Sequence, residues 1–255
     1  MNLNLHEAVI RKYNSSSQRI RVLTETWLKN EMYCPSCGCE KLEKMPNNSK
    51  MADFFCENCG EIYELKSKKI PLGRQILDGA YYAALERVNS NTNSNLFVLG
   101  YDKKFMIESL TLVPKYFLTP NILKKRNPLS ENAERPGYIG AYILYGEISD
   151  YGKISIIKSY VEQNRKAVLE NYSKISRLKI ESLNKRGWLM DVLNCINKIS
   201  TECFTLEDIY RFIPELEKKH PDNKHIEEKI RQQLQFLRDK NFLEFLSKRG
   251  TYRKI

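Results

Sequence analysis

The sequence predicts an α/β (α+β) core with an embedded four-cysteine zinc-binding hairpin, followed by a winged-helix domain. Two Cys-x-x-Cys pairs lie among short strand-like segments in the N-terminal part of the chain. Apolar runs typical of buried strands then alternate with helical periodicities as far as residue 160. The C-terminal part differs, with helical periodicities followed by two short strand-like segments. These three observations together predict the architecture.

The first helix is predicted over 18–30, where Ile20, Leu23 and Trp27 recur at helical spacing and form one apolar face. Glu25 lies on the same helix. A carboxylate in this position either contributes to a nearby metal site or is a solvated side chain. Because acidic side chains are mostly exposed, the sequence alone favours the solvated side chain.

The predicted sheet comes from segments rich in apolar and β-branched residues. A second helix is predicted over 75–88, because Leu77, Ala84 and Val88 fall on one side. Segment 114–137 is rich in Pro, Lys, Arg and Asn and predicts a long surface excursion. The strand candidates are 51–55, 61–66, 95–101, 105–113, 138–148 and 154–160.

The chain changes character after a polar and basic segment, 161–186, which predicts a helix and then a connection. We place the domain boundary near Leu183. This division gives a first domain over 1–183 and a second domain over 184–255. The sequence of both parts is free of internal repeats and low-complexity tracts.

The second domain has the element order of a winged helix. Helices are predicted over 187–199 and 225–240, and a shorter helix between them begins at Thr205, which Asp208 can help to cap. The two strand candidates that follow are 242–246 and 251–255. In the winged-helix variant of the helix-turn-helix, the third helix enters the major groove of DNA. Winged helices also mediate protein–protein contacts, and the sequence leaves this alternative open.

The net charge favours a polyanionic partner. Lysine and arginine total 42 and aspartate and glutamate total 31, which leaves a formal charge of +11. Such an excess is typical of proteins that neutralise phosphates, and a basic protein without a nucleic-acid partner is the alternative. The sequence has no apolar run as long as a membrane helix and no recognisable secretory signal, so we expect a cytoplasmic protein with no membrane partner.

Four cysteines have the spacing of a structural zinc site: Cys34, Cys37, Cys56 and Cys59. Each Cys-x-x-Cys pair lets two thiolates from one tight turn reach the same ion, and the glycine after each pair suits a positive φ. Because cysteine would fill all four coordination positions, we expect the Zn²⁺ to be structural rather than catalytic. The alternatives are a redox dithiol and unrelated free thiols. We expect Cys39 to be a spare thiol.

A second constellation surrounds the second cysteine pair: Asp53, Glu64 and Lys66. Glu64 and Lys66 lie one strand repeat apart and therefore project to the same face. Carboxylates on neighbouring strands can hold a divalent cation such as Mg²⁺, which polarises a phosphodiester and helps to deprotonate a water molecule. Solvated charges at the edge of a strand are the alternative in a chain with this many charged residues.

The Asp…Glu-x-Lys arrangement resembles the PD-(D/E)xK nuclease superfamily, with Ala52 in the position of the motif's proline. A closer resemblance, to the DpnI family of methyladenine-dependent restriction endonucleases, extends along the chain. The segments that carry it are LTETWLKNEMYCPSCG, ADFFC, ELKSKK, RGWLMDVLNCINKI, FTLEDIYRF and HIEEKIRQQLQFLRDK. This resemblance implies a PD-(D/E)xK core that cuts double-stranded DNA at G-A-T-C sites containing 6-methyladenine. It also implies a winged helix that reads the methylated site.

The resemblance further implies roles for individual residues. Asp53 and Glu64 would bind the catalytic Mg²⁺, and Lys66 would position the water or stabilise charge. A loop aromatic residue that senses the methylated base corresponds to Tyr138, which stands where a tryptophan is expected. Arg135 lies in the same segment. A tyrosine can still stack on a base, so the implied role survives this exchange.

Candidate DNA-reading residues of the second domain lie on its third helix and in the wing. The apolar stripe of the helix faces the core, which leaves polar side chains able to reach base edges. These candidates are His225, Lys229, Arg231, Gln232 and Gln235 on the helix and Lys248 and Arg249 in the wing. Glutamine and arginine are suited to bidentate contacts with adenine and guanine.

Together these observations predict a monomeric, Mg²⁺-dependent type II restriction endonuclease that contains a structural Zn²⁺. Two alternatives remain open from the sequence. One is a zinc-containing winged-helix regulator without catalysis, which would bind DNA and leave it intact. The other is a structure-specific repair nuclease, for which the shape of the DNA rather than its sequence would decide where cleavage occurs.

Overall fold

The computed structural model of the protein is built around one seven-stranded sheet and two three-stranded sheets. It divides into two units: the first comprises 1–148 and 152–176, and the second comprises 149–151 and 177–255. The structure describes residues 1–6, 15–46, 49, 52–90, 93–178 and 183–255. Helices and strands are both prominent, so the mixed α/β class predicted from the sequence is confirmed.

The first unit contains the large sheet and one of the small sheets. Its strands are β1 (Glu43–Lys44), β2 (Phe54–Phe55), β3 (Ile62–Lys69), β4 (Ile76–Ala80), β5 (Asn95–Tyr101), β6 (Ile107–Val113), β7 (Leu123–Lys125), β8 (Gly140–Ile143), β9 (Ile154–Lys158) and β10 (Val161–Glu162). Its α-helices are α1 (Ser16–Glu31), α2 (Tyr81–Asn89) and α3 (Arg165–Ser176). The large sheet has the order β1-β2-β3-β5-β6-β9-β10, and the small sheet has the order β4-β8-β7. Strands β3 and β5 pair in parallel, and the other neighbours pair antiparallel.

Strand β5 lies at the centre of the large sheet, because its mainly apolar side chains can be buried on both faces. All of its residues are buried. On one side it pairs with β3, in a register that sets Lys66 beside Val98. The strands predicted over 95–101 and 61–66 are therefore confirmed, and β3 continues three residues beyond its predicted end.

The prediction of a helix over 75–88 is wrong for the first half of this segment. That half forms β4, which pairs with the distant strand β8, and α2 begins only at Tyr81. Asp78 and Gly79 disfavour a helix, and hydrogen bonds with β8 stabilise the extended backbone instead. Leu77, which would be buried on a helix here, is 57% exposed.

Segment 114–137 also differs from the prediction, because part of it belongs to the core. Phe117 and Ile122 are buried, and β7 supplies an edge strand of the small sheet. The polar composition is misleading because the charged residues are interspersed with buried apolar residues. Strand β2 covers only the end of the strand predicted over 51–55, of which residue 51 lies outside the described residues.

Four other predicted elements of the first unit are confirmed with small shifts at their ends. Helix α1 begins at Ser16, two residues before its predicted start. Strands β6 and β9 lie within the segments predicted over 105–113 and 154–160, and α3 occupies the helical part of 161–186. The apolar face of α1 is inward, since its Trp27 is 4% exposed.

The second unit contains the elements of a winged helix, which confirms the predicted second domain type. Its helices are α4 (Leu183–Lys198), α5 (Leu206–Tyr210), α6 (Ile213–Lys219) and α7 (Ile226–Asp239). Its strands, in the sheet order β11-β13-β12, are β11 (Cys203–Thr205), β12 (Leu243–Phe245) and β13 (Thr251–Lys254). The predicted cap of α5 is present: Asp208 Oδ2 accepts from the Thr205 N–H at 2.9 Å, and Thr205 Oγ1 accepts from the Asp208 N–H at 3.3 Å. Strand β11 and helix α6 add to the predicted elements.

Helix α7 confirms the third helix predicted over 225–240 and buries its apolar stripe. The buried residues Ile230, Leu234 and Leu237 are all 0% exposed. Each such side chain contributes about 1.5–3 kcal/mol to folding, so this helix is held firmly in the second unit. Neither α7 nor any other helix in the described part of the chain is both long and apolar enough to cross a membrane.

Candidate active site and metal centre

A cleft of about 620 Å³ in the first unit contains the three residues predicted to be catalytic. Helix α1, the segment before β2 and strand β3 supply its walls. The charged side chains that line it are Arg21, Glu25, Asp53, Glu64 and Lys66. The folded chain thus brings Asp53, Glu64 and Lys66 into one place.

Asp53 reaches the cleft from the residue that precedes β2. Its backbone N–H donates to the Tyr63 carbonyl oxygen at 3.0 Å, and its Oδ2 accepts from the Leu65 N–H at 2.8 Å, so the carboxylate is fixed against β3. Burial raises the pKa of Asp53 above its ordinary value, and the negative charges of Glu64 and Glu25 add to the shift. A divalent cation among these carboxylates would relieve their repulsion.

Glu64 and Lys66 project from β3 to the same side, as their spacing predicts. Lys66 Nζ lies 2.7 Å from Glu64 Oε1 and 2.6 Å from Asp78 Oδ1. Burial opposes the positive charge, but the two carboxylates outweigh it and raise the pKa of Lys66 above its ordinary value. The amine is therefore protonated at neutral pH, where it can donate hydrogen bonds and stabilise negative charge.

Asp78 and Arg87 complete this group, although no sequence motif predicted a site role for either residue. Arg87 Nη2 lies 3.0 Å from Glu64 Oε2 and 3.0 Å from Asp78 Oδ2. The four side chains therefore form a closed ring of ion pairs in which acids and bases alternate. We call this ring the charge ring; it consists of Glu64, Lys66, Asp78 and Arg87. One sequence signal could have identified Asp78. An Asp-Gly pair after two apolar residues marks a bulge in a strand more often than the interior of a helix, and a bulge is present here.

Glu25 is buried in the cleft, so the solvated side chain favoured by the sequence is wrong. It is 5% exposed. Arg21 Nε lies 2.5 Å from its Oε1, and Lys44 Nζ lies 2.6 Å from its Oε2. Arg21 also approaches the catalytic candidate Asp53, with Nη2 3.9 Å from Oδ1. Helix α1 contacts β3, and this packing carries Glu25 inward, where a charge requires such partners.

The four predicted zinc ligands form a thiol cluster: Cys34, Cys37, Cys56 and Cys59. Their Sγ atoms all lie within 4.8 Å of one another, and the pairs Cys34–Cys59 and Cys37–Cys56 are each 3.6 Å apart. Zn–S bonds of about 2.3 Å place tetrahedral thiolates about 3.8 Å apart, whereas a disulfide requires about 2 Å. The cluster can hold a metal ion, and its dimensions fit a structural Zn²⁺.

Two backbone turns build the thiol cluster. The N–H groups of Gly38 and Gly60 each donate, at 2.8 Å, to the carbonyl oxygen of the first cysteine of their pair. Both glycines have a positive φ, 78° and 71°, which residues with a side chain rarely adopt. Cys39 stands outside the four-sulfur cluster, as predicted, and its carbonyl oxygen accepts from the Cys34 N–H at 2.8 Å.

The second cysteine pair lies in the turn between the strands that carry the cleft residues. Cys56 follows β2 directly, and its N–H donates to the Glu61 carbonyl oxygen at 2.9 Å, which closes this turn. On β3, Tyr63 Oη lies 3.1 Å from Cys34 Sγ. The next residue is Glu64, so the thiol cluster and the cleft are built on the same two strands.

The loop residues expected to sense a methylated base lie just before β8. The Tyr138 N–H donates to the Arg135 carbonyl oxygen at 3.2 Å, and Gly137 between them has a φ of 73°, so these residues form a tight turn. Arg135 is exposed and Tyr138 is half-buried. The strand predicted over 138–148 begins only at Gly140, which leaves Tyr138 in the turn.

In the second unit, the predicted DNA-reading residues divide into exposed and engaged side chains. The exposed ones are His225, Gln232, Gln235, Lys248 and Arg249. Lys229 is half-buried, and its Nζ lies 3.0 Å from Gln232 Oε1. Arg231 Nη1 lies 2.6 Å from Tyr210 Oη, and its guanidinium pairs with two glutamates of α7 at 3.4 and 3.3 Å. Arg231 would have to release some of these partners to bind a guanine edge.

Two family models match the chain. Residues 1–181 match the DpnI model, which describes the Dam-replacing family. Residues 184–254 match the DpnI_C model, which describes the Dam-replacing HTH domain. The first match spans the cleft, the charge ring and the thiol cluster, and the second spans the helices and strands of the winged helix.

Proposed function

The chain belongs to the Dam-replacing (DpnI) family of methylation-dependent restriction-type DNA nucleases, and from this premise we propose that it cuts double-stranded DNA at G-A-T-C sites containing 6-methyladenine. The proposed reaction is Mg²⁺-dependent hydrolysis of a phosphodiester bond. One observation carries the proposal: the carboxylates of Asp53 and Glu64 and the ammonium group of Lys66 meet in one cleft.

In the proposed site, Asp53 and Glu64 would hold Mg²⁺. The bound ion would polarise the phosphate and lower the pKa of the attacking water. The donor set fits this ion, because Mg²⁺ prefers oxygen ligands. Asp53 uses Oδ2 to accept from the Leu65 N–H, whereas its Oδ1 faces the exposed Arg21 guanidinium at 3.9 Å. Oδ1 is therefore the oxygen better placed to reach an ion in the cleft.

Lys66 acts as a cation in this proposal. Because the pKa of Lys66 is raised, the amine stays protonated and donates hydrogen bonds to the water or to a phosphate oxygen. Its positive charge then stabilises the negative charge that develops in the transition state. The attacking water must lose its proton to another acceptor, since a protonated amine cannot take it.

We assign a structural Zn²⁺ to the thiol cluster. Four cysteine ligands complete a tetrahedral shell and leave no position for a substrate. The second cysteine pair lies in the turn that joins β2 to β3, so the ion would fix the separation of Asp53 from Glu64. Free thiolates persist in a reducing compartment, which supports the cytoplasm as the location of the protein.

DNA recognition is divided, in this proposal, between a catalytic domain over 1–183 and a winged-helix domain over 184–255 of a monomer. Tyr138 would stack on the methylated base, with Arg135 beside it. Exposed polar side chains of α7 and of the wing would contact base edges and phosphates. Family membership favours this nuclease over the regulator without catalysis that the sequence left open.

A plasmid digest tests the proposal. Plasmid DNA from adenine-methylating cells should be cut in Mg²⁺, whereas unmethylated DNA of the same sequence should stay intact. Asp53→Ala should abolish cutting, because it removes a proposed metal ligand. Glu170→Ala, at an exposed position of α3, is the control and should cut as the wild type does. Sequencing of the ends would then identify the target.

Each alternative predicts a different result of this digest. Equal cutting of both plasmids would refute the methyl dependence. Ends located at junctions or bulges rather than at one sequence would favour the structure-specific repair nuclease. Binding without scission at every Mg²⁺ concentration would refute the proposed hydrolysis and favour the regulator.

A further inference from the structure

We infer that Asp78 and Arg87 are positioning residues of the nuclease site, which act through Lys66 and Glu64 rather than by touching the metal or the DNA. The inference rests on the proposed function, because it assigns both residues to the same cleavage reaction. Neither belongs to the Asp…Glu-x-Lys pattern. Asp78 lies on β4 and Arg87 on α2, in the connection between the parallel strands β3 and β5.

Both oxygens of Asp78 are engaged by the protein. Oδ1 accepts from Lys66 Nζ at 2.6 Å and from the Gly79 N–H at 2.8 Å. Oδ2 accepts from Arg87 Nη2 at 3.0 Å. The side chain is 2% exposed, so this carboxylate faces the charge ring rather than the cleft. Glu64 is also engaged through both oxygens, but it lines the cleft, whereas Asp78 does not. The position of Asp78 therefore suits a residue that orients Lys66 rather than a metal ligand.

Asp78 can keep Lys66 in place when a cation enters the cleft. The ammonium group has two carboxylate partners, Glu64 and Asp78. A cation bound by Glu64 weakens the pairing of Glu64 with Lys66, because the negative charge is then shared. Asp78 remains as the partner that holds the ammonium group. Its effect on the position of Lys66 should therefore be greatest in the metal-loaded site.

Arg87 has a complementary role. Its Nη2 bridges Glu64 and Asp78 at 3.0 Å from each, and these charge-assisted contacts restrict the rotamers of both carboxylates. The guanidinium also balances charge. Because the charge ring contains two acids and two bases, it is neutral, and Asp78 adds little to the repulsion felt by Asp53.

A purely structural role is the competing explanation, since the charge ring also ties β3 to β4 and α2. Under that explanation, substitutions would lower stability and leave the reaction of the folded protein unchanged. The cleavage rate of the folded variants separates the two roles. Loss of the Asp78 charge lowers this rate, while DNA affinity without Mg²⁺ is unchanged, only if Asp78 positions Lys66 in the working site.

The experiment measures single-turnover cleavage of a methylated G-A-T-C duplex at neutral pH over a series of Mg²⁺ concentrations. Asp78→Asn is nearly isosteric and keeps an acceptor for the Gly79 N–H. We expect its rate at neutral pH to fall about tenfold to a hundredfold, with DNA affinity in the absence of Mg²⁺ within about twofold of the wild type. The Mg²⁺ concentration needed for half-maximal rate should stay within about twofold of the wild-type value, because the inference makes Asp78 a positioning residue and not a metal ligand.

Arg87→Lys and Arg87→Gln form a rescue series. Lysine keeps a positive charge in the charge ring, so Arg87→Lys should retain more of the cleavage rate than Arg87→Gln. Arg74→Gln is the matched control, because Arg74 forms an ion pair of similar length, 2.6 Å, with Glu147 on the exposed surface. Its rate should equal that of the wild type.

Several results would overturn the inference. One is a wild-type rate in folded Asp78→Asn. Another is a large rise in the Mg²⁺ concentration needed for half-maximal rate, which would make Asp78 a metal ligand. If circular dichroism shows that Asp78→Asn does not fold, the rates of folded Asp78→Glu and of the rescue series decide the question, and wild-type rates in all of them would overturn the inference. Failure of the wild type itself to cut methylated DNA would refute the proposed function instead.

Discussion

The cleft and the charge ring share Glu64 and Lys66, yet each contains an aspartate with an opposite electrostatic environment. In the cleft, burial and neighbouring carboxylates raise the pKa of Asp53. In the charge ring, burial opposes ionisation of Asp78, but Lys66 and Arg87 outweigh it and lower the pKa. The difference separates a carboxylate suited to bind an added cation from one whose charge is already compensated by the protein.

The largest expected effect comes from neutralising Asp53 in the cleft. Asp53→Asn preserves the shape of the side chain and removes one negative ligand. We expect the single-turnover cleavage rate to fall at least about a thousandfold, because a catalytic metal supplies several kcal/mol of transition-state stabilisation. Glu170→Gln, on the exposed face of α3, should keep the wild-type rate. If Asp53→Asn cut DNA at the wild-type rate, Asp53 would not be a ligand of the catalytic metal.

The next effect tests whether the thiol cluster supports the cleft. Cys56→Ser should lose the bound zinc and lower the free energy of unfolding by several kcal/mol, since binding of a structural Zn²⁺ stabilises only the folded state. Cleavage should fall with it, because Cys56 closes the turn between the strands that hold Asp53 and Glu64. Metal analysis and urea unfolding measure the first two quantities. Cys39→Ser is the matched control.

A second measurement, made on the wild type, tests whether the two proposed metal sites are distinct. Zinc added in excess should not replace Mg²⁺ in the cleavage reaction of the wild type, because the proposed Mg²⁺ site offers carboxylate oxygens and the proposed Zn²⁺ site offers thiolates. If Cys56→Ser retained both its stability and its cutting, the thiol cluster would not support the cleft.

A smaller effect tests the charge ring. Because the folded-state pKa of Asp78 is lowered, its ionised form contributes stability above the ordinary aspartate pKa, and this contribution is lost as the pH falls through the lowered value. At neutral pH, Asp78→Asn should therefore lower the free energy of unfolding by about 1–3 kcal/mol. Urea unfolding should show that this deficit shrinks in acid. A pH-independent deficit would point to packing rather than charge.

The smallest expected effect has the opposite sign. Because the folded-state pKa of Asp53 is raised, ionisation of Asp53 costs stability as the pH rises from the ordinary aspartate pKa through the raised value. Without Mg²⁺ at neutral pH, Asp53→Asn should raise the free energy of unfolding by about 0.5 kcal/mol. Below the ordinary pKa the gain should vanish. If neutralisation of Asp53 and of Asp78 shifted stability in the same direction, the contrast between cleft and ring would fail.

The site residues found from the sequence are those whose geometry is local. Glu64 and Lys66 are two residues apart on one strand, so the period of the strand alone puts them on one face. Each Cys-x-x-Cys turn likewise brings two thiols together without help from distant residues. The closeness of Asp53 to Glu64 is local as well, because one short turn joins the antiparallel strands β2 and β3.

The missed residues depend on pairing between distant segments. Strand β4 is extended because it pairs with β8. The Asp78-Gly79 pair is a weak local sign of a bulge, but nothing in 75–88 identifies the partner strand, so helical periodicity places Asp78 in a predicted helix. Arg87 lies on a helix both in the prediction and in the structure. Its contact with Glu64, however, depends on β4, which determines where that helix begins. Helical periodicity places Glu25 on α1 without indicating how deeply packing against β3 buries it.

The parallel pairing of β3 with β5 has a consequence for where the proposed catalytic groups lie along the sequence. Parallel neighbours require a crossover connection, and here the crossover contains β4 and α2. It returns Asp78 and Arg87 to the strand that bears Glu64 and Lys66. The charged groups of the proposed chemistry therefore lie in one uninterrupted stretch, 53–87, although β5 and β8, which hold this stretch in place, lie outside it.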